Sequence, residues 1–184
     1  DTAATPLPEF VSLALDQPMR KMIYVGTTAD WFDFEVVIEA LDRCPSTVCL
    51  LFGLADVPIP KHPRLIYVGM VEHRYVARIM AQADLLIMPF LLNDLVLSVN
   101  PIKLYEYAYS GVPSLAVHYP ETEQFSPYVH LYRDRAEFIA VVERMVAGTL
   151  VETVDRDAKR AFALGSTWQN RVGEMLAFAK ERGL

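Results

Sequence analysis

Asn100-Pro101-Ile102-Lys103-Leu104-Tyr105-Glu106-Tyr107-Ala108-Tyr109-Ser110-Gly111-Val112-Pro113 reads as a helix with both of its ends written into it. Asn100 is expected as the N-cap and Pro101 at the first helical position, where a missing N–H costs nothing. Gly111 closes the helix, and the apolar run Ser114 to Val117 follows at once as a strand. A helix that starts this way leaves backbone N–H groups facing whatever lies ahead, an arrangement that favours an anion. Lys103 adds mobile positive charge at that end. Glu106, one turn further on, can accept hydrogen bonds from vicinal hydroxyls such as those of a ribose. Phosphate and ribose together point to a nucleotide. Such caps also arise for purely local reasons, with Lys and Glu as solvated surface groups, so the surrounding elements have to decide.

Working outward, Met22 to Val25 is a β-rich run ended by Gly26, and Phe34, Val37, Ile38 and Leu41 then recur at helical spacing up to Pro45. Val48 to Phe52 is a second strand ended by Gly53. Leu65 to Val68 is a third, ended by Gly69, across a Pro-rich loop. Val76, Ile79 and Met80 mark a helix that leads to the strand Leu85 to Met88, closed by Pro89 and a loop over Phe90 to Val99. After the focal helix come a short strand, Val129 to Tyr132, and helices at about Arg135 to Ala147, Glu152 to Leu164 and Thr167 to Arg182. Continuous apolar strands alternating with helices predict an α/β fold, a doubly wound, Rossmann-like parallel sheet buried on both faces. In such sheets ligands bind beyond the carboxyl ends of the strands, where the loops after Gly26, Gly69 and Pro89 converge with the start of the helix at Pro101. No Gly-x-Gly-x-x-Gly follows the first strand and there is no Walker loop, so the common dinucleotide and NTPase readings lose support.

A chain of 184 residues, 53% hydrophobic and 22% charged, is long enough for one domain with a real core. Its net charge of −6 and scattered Lys and Arg argue against a nucleic-acid partner. Cys44 and Cys49 read as buried thiols of a reducing compartment, and the four histidines lack metal-ligand spacing, so no metal site is expected. With no membrane-spanning run or signal peptide in the sequence, the expected location is cytoplasmic. Asp1 to Arg20, with Pro6, Pro8 and Pro18, reads as an irregular interdomain linker (1–20), and a start at Asp1 in place of Met suggests a domain of a longer protein.

The order Tyr24-Val25-Gly26, Leu51-Phe52-Gly53, Tyr67-Val68-Gly69-Met70-Val71, Ala83-Asp84-Leu85 to Pro89, Asn100-Pro101-x-Lys103-x-x-Glu106-Tyr107 and Gly111-x-Pro113 resembles the C-terminal, donor-binding domain of GT-B glycosyltransferases. The likeness is strongest to the bacterial, glycogen-synthase-like retaining group that assembles surface polysaccharides, including the branch with Trp31-Phe32-Asp33-Phe34 after the first strand. The final helix with Trp168 is similar to that family's closing helix. The resemblance implies that residues 21–184 form one half of a GT-B architecture, a nucleotide-sugar-binding domain with C-terminal helices. Its donor would be an NDP-sugar (UDP, GDP or dTDP) and it would need no cofactor. Its partners would be a glycan or lipid-linked acceptor and a missing N-terminal domain, through which it would sit peripherally at the inner face of the membrane.

The resemblance also implies site residues. Glu106 matches the ribose-binding glutamate, and Ser98 stands eight residues earlier, where the family has a sugar-binding glutamate. Asn100, Pro101 and the amides of Ile102 and Lys103 match the diphosphate contacts, with Gly26 and Thr27 opposite. Val71 and His73 would lie near the base. Thr27 and Asp33 stand where retaining relatives carry an Arg and a Lys. A diphosphate lacking those cations forgoes charge-assisted bonds worth about 1.5–3 kcal/mol each, a deficit Lys103 can partly make good. Asp33 and Asp30 are candidate sugar or acceptor contacts, set against a plainer reading in which Trp31, Phe32 and Phe34 pack the loop and the acids face water. No catalytic nucleophile is assigned, since in retaining relatives the leaving phosphate can take the acceptor's proton. The leading expectation is transfer of a hexose from an NDP-sugar, with the isolated domain inactive. A nucleotide-sugar epimerase of the same fold and a non-catalytic scaffold remain alternatives.

Overall fold

Six apolar runs pair side by side; β2 (Thr47–Phe52) is buried along its whole length, as are the inner strands beside it for most of theirs, while the strands at the two edges are only partly covered. The computed structural model describes residues 5–182. β1 (Arg20–Val25) lies between β2 and β4 (Leu85–Met88), β3 (Leu65–Gly69) lies outside β2, and β5 (Ser114–Val117) and β6 (His130–Tyr132) extend the other side, in the order β3-β2-β1-β4-β5-β6. Every pairing is parallel, with Met22 opposite both Cys49 and Leu85. The direction of winding reverses between β1 and β4, and that junction is where such sheets open a crevice.

The helices cover both faces. α2 (Phe34–Arg43) opens with Asp33 accepting the Val36 amide at 3.0 Å and buries Val36, Val37, Ala40 and Leu41. α3 (His73–Met80) buries Tyr75, Ile79 and Met80, and α5 (Ile102–Ser110) buries Leu104, Tyr107 and Ala108. Gly111 ends α5 at φ +73°, a left-handed position that glycine takes without strain. α6 (Arg135–Val146) packs on α2, and α7 (Arg156–Gly165) packs on α5. α8 (Trp168–Glu181) completes the chain, and none of the described helices is long and apolar enough to cross a membrane. The Trp168 side chain and residues 1–4 of the expected linker lie outside the described residues.

Three segments differ from the sequence expectation. The stretch read as irregular contains α1 (Glu9–Leu15), which buries Val11 and Ala14 beside β3; the nine residues between Pro8 and Pro18 are enough for two turns. The loop after β4 holds a one-turn helix, α4 (Asp94–Leu97), closed at its start by Asn93 accepting the Val96 amide at 2.8 Å. A 3-10 turn over Pro120–Phe125 precedes β6, pinned by Thr122, whose hydroxyl accepts from Tyr119 N–H at 2.8 Å and has the Val117 and Tyr119 carbonyls within reach of its one proton.

α7 is anchored through charge. Lys159 is 1% exposed and pairs with Glu152, which also meets His130 Nε2 on β6 at 2.9 Å. Burial pushes the Glu152 carboxyl up, but the hydrogen bonds from His130 and Lys159 and their charges outweigh it, so the carboxyl lies below its ordinary range.

Candidate functional site

At the carboxyl edge the strands end in a stair of glycines. Gly26 N–H donates to Phe52 O at 2.7 Å, and Gly53 N–H donates to Gly69 O at 2.9 Å. A side chain on Gly53 (φ +127°) would meet the Gly26 carbonyl at 2.2 Å, so this step admits only glycine. Beyond the stair, the loops after β1 and β4 are fastened across the winding reversal. Asp33 N–H donates to Pro89 O at 2.8 Å and Leu91 N–H donates to Trp31 O at 2.6 Å. Tyr24 lies edge-on to Phe32 at 4.9 Å and to Phe90 at 6.1 Å, forming an aromatic floor.

Over this floor lies a cavity of about 350 Å³. Tyr24, Thr27 and Trp31 line it from the β1 side, Met88 and Phe90 from β4, and Leu95, Val96 and Val99 from the α4 segment. Asn100, Pro101, Ile102 and Lys103 close it at the start of α5, with Tyr119 behind. The helix start is built differently from the sequence expectation. Pro101, and not Asn100, is the N-cap, and the helix begins at Ile102. A residue preceding proline is biased away from helical backbone, and the Asn100 amide group is drawn aside to Glu121 Oε2 at 3.2 Å. Asn100 Oδ1 is buried with no partner among the described residues. Ile102 N–H turns back to Asn100 O at 2.9 Å, whereas the Lys103 N–H meets no acceptor among the described residues.

The Lys103 side chain crosses from α5 to the end of β1. Its ammonium donates to Val25 O and lies 5.2 Å from the Tyr24 ring centroid. A side chain on Gly26 would meet Lys103 Nζ at 2.5 Å, so the bare glycine is what gives the ammonium its place. Burial pulls the Lys103 pKa down, and the Glu106 charge works in the other direction. The cation thus sits beside the first-strand glycine even though Thr27 follows that glycine in sequence.

The other expected residues are dispersed around this corner. Glu106 is exposed one turn along α5 and faces a second depression, of about 280 Å³, shared with His73 and Tyr109. Val71, half-buried, packs on the core in the loop that leads to His73. Ser98 is exposed, with its hydroxyl donating to Leu95 O at 2.8 Å. Asp33 spends a carboxylate oxygen on the α2 cap and Asp30 is exposed on the loop; neither lines the cavity. Phe32 is buried and 4.6 Å from Phe34, while Trp31 faces the cavity. Sequence reading missed Tyr24, Tyr119 and the α4 wall; the apolar stretch from Phe90 to Val99 was the available signal.

No family model matches the chain. It is 25% identical over 156 residues to the Bacillus subtilis (strain 168) protein named "Putative teichuronic acid biosynthesis glycosyltransferase TuaH", covering 79% of this chain and 39% of that protein. Among solved structures, HepE of Anabaena in complex with UDP superposes with a TM-score of 0.64 at 15% identity, over 94% of this chain and 53% of that one. Sucrose-phosphate synthase of Thermosynechococcus elongatus superposes with a TM-score of 0.68 at 16% identity, over 96% and 49%. The chain therefore spans about two-fifths of its curated relative and about half of the structural ones. The shared element is the six-stranded, doubly wound sheet described above. The chain carries the fold of one half of a GT-B glycosyltransferase.

Proposed function

We propose that this chain is the donor-binding domain of a glycosyltransferase that transfers a hexose from a nucleotide sugar, with UDP as the nucleotide, in surface polysaccharide synthesis. The observation that carries the reading is Lys103, a partly buried cation at the end of β1, beside a helix-start amide without an acceptor among the described residues, in the crevice where β1 and β4 wind apart. A diphosphate in that corner would take the ammonium from Val25 O and the free N–H of α5. Ribose would then lie over the first turn of α5 at Glu106, and the base toward Val71 and His73, so that the nucleotide straddles the ridge between the two depressions. UDP is chosen because HepE was solved in complex with UDP and with UDP-glucose.

As the bond to the sugar breaks, negative charge grows on the departing diphosphate, and a fixed ammonium and amide stabilise it more than they do the intact donor. The acceptor and the remaining catalytic groups belong with the other half of the protein, to which residues 1–20 lead as a linker, and the assembly is assigned to the cytoplasm. The test is isothermal titration of the chain with UDP, GDP and dTDP, repeated on Glu106→Ala. UDP binding that falls tenfold or more on substitution, about 1.4 kcal/mol, is the expected result. UDP binding that Glu106→Ala leaves unchanged removes the ribose role, and silence from all three nucleotides counts against the reading.

A further inference from the structure

α2, α4, α6 and α7 open in the same way. In each, an Asp or Asn side-chain oxygen accepts the backbone N–H three residues further on: Asp33 from Val36, Asn93 from Val96, Asp134 from Glu137 and Asp155 from Ala158, at 2.8 to 3.0 Å. Such a bond satisfies one of the donors that a helix start leaves over. Asn100 stands three residues before Lys103, the same spacing at the start of α5, and makes no such bond. Its Oδ1 is buried with no partner, and the Lys103 N–H has no acceptor, among the described residues. An acceptor without a donor and a donor without an acceptor therefore stand at the spacing where this chain elsewhere joins them. Leaving both unpaired is unfavourable unless another group imposes it.

That group comes from a different segment. Glu121, half-buried on the 3-10 turn after β5, takes the Asn100 Nδ2 donor at 3.2 Å and draws the side chain aside. Next to it Tyr119 Oη donates to Val99 O at 3.0 Å, so the backbone just before Asn100 is tied to the same turn. Among the described residues no Lys, Arg or His pairs with Glu121. Its negative charge by itself would weaken the binding of an anion at that helix start. Its charge and its hydrogen bond thus act in opposite directions, and experiment can tell them apart.

We infer that Glu121 is a positioning residue: it holds Asn100 off the cap of α5 and so keeps the Lys103 N–H open to the donor's diphosphate. The use of the open amide rests on the donor reading above; the holding of Asn100 does not. The experiment is a double-mutant cycle on Glu121 and Asn100 with two readouts. Hydrogen exchange of the Lys103 amide, followed by heteronuclear NMR on the ligand-free chain, needs no nucleotide. In Glu121→Ala the released Asn100 should cap the helix and slow that amide by about three- to thirtyfold, the strength of an N-cap bond. Glu121→Gln, whose side-chain oxygen still accepts from Asn100, should exchange as the parent does, and Glu121→Ala should have no effect where Asn100 is already alanine. Calorimetric titration with UDP is the second readout. Glu121→Ala should weaken UDP by a similar factor, Glu121→Gln should not weaken it, and the loss should vanish in the Asn100→Ala background. A role through charge alone would tighten UDP in both Glu121 variants, and a merely structural one would weaken it whether or not Asn100 is present. Either result, or a Lys103 amide as fast in Glu121→Ala as in the parent, overturns the inference; far-UV circular dichroism checks the fold of each variant. A parent that does not bind UDP removes the donor reading, and the amide exchange then decides by itself whether Glu121 holds Asn100.

Discussion

Replacing Lys103 by methionine keeps the length of the side chain and removes its charge, and the two consequences have opposite signs. In the ligand-free chain the ammonium is held out of water, with Val25 O and the Tyr24 ring as its neighbours. Its folded pKa therefore lies below the ordinary 10.5. The folded chain then holds fewer protons than the unfolded chain in the interval between those values. The group's contribution is a constant penalty below that interval, relieved as pH climbs through it toward 10.5. Removing the ammonium also frees Val25 O, which costs about 1 kcal/mol and offsets part of the gain. Lys103→Met should accordingly melt no lower than the parent at pH 7, and its advantage should shrink at pH 10. For UDP the sign reverses. A lost charge-assisted hydrogen bond to the diphosphate is worth about 1.5–3 kcal/mol, so affinity should fall roughly 10- to 150-fold. Calorimetric titration and thermal unfolding on one preparation measure both. Affinity for UDP within twofold of a parent that binds it would refute the reasoning, since the ammonium would then take no part in holding the diphosphate.

Other outcomes follow from the packing. Glu152→Ala leaves the Lys159 ammonium buried without a partner, which should cost about 3–5 kcal/mol and lower the melting temperature by roughly 6–20 °C. In the parent, because the folded Glu152 pKa is depressed, its contribution is present in full above the ordinary carboxylate value and should fade as pH drops through the folded one; urea midpoints across pH 3 to 6, compared with Glu152→Ala, test this. Gly53→Ala pushes a methyl group against the Gly26 carbonyl and should cost about 1–3 kcal/mol in urea unfolding. Asp33→Ala removes the α2 cap, with an expected loss of about 1 kcal/mol by the same measurement.

The sheet was legible because a strand buried on both faces must be apolar at every position, as Val48 to Phe52 are, and because the helices after β1, β3 and β4 carry the chain back so that the strands run parallel. α1 was hidden by the prolines on either side of it, although Val11 and Ala14 are three residues apart and share a face. The candidate site was legible only in its local part. Asn100 to Gly111 announces a helix and an anion-binding end, but Asn100 bonding sideways to Glu121 depends on the 3-10 turn that follows β5. The sequence places Lys103 as a mobile charge at the anion-binding end; its reach to Val25 depends on a bare Gly26 seventy-seven positions earlier, which no local pattern encodes. Lys159 is the sharper case. It stands in a helix rich in charge and polar spacing, yet the fold closes over it, because Glu152 and His130 come from segments that meet only in three dimensions.

The fastening of the β1 and β4 loops divides the cavity into parts with different histories open to them. Asp33 and Leu91 tie the floor to backbone groups, so substitutions of their neighbours' side chains leave it standing. The α4 wall is held by the cap at Asn93, the buried Val96 and the hydrogen bond from Tyr119 Oη to Val99 O. Side chains of residues 92–98 other than Asn93 and Val96 can therefore be exchanged while the cation and the helix start stay where they are. Grafting that one stretch from a relative is the smallest change that would reshape the wall of the cavity without rebuilding the corner at Lys103.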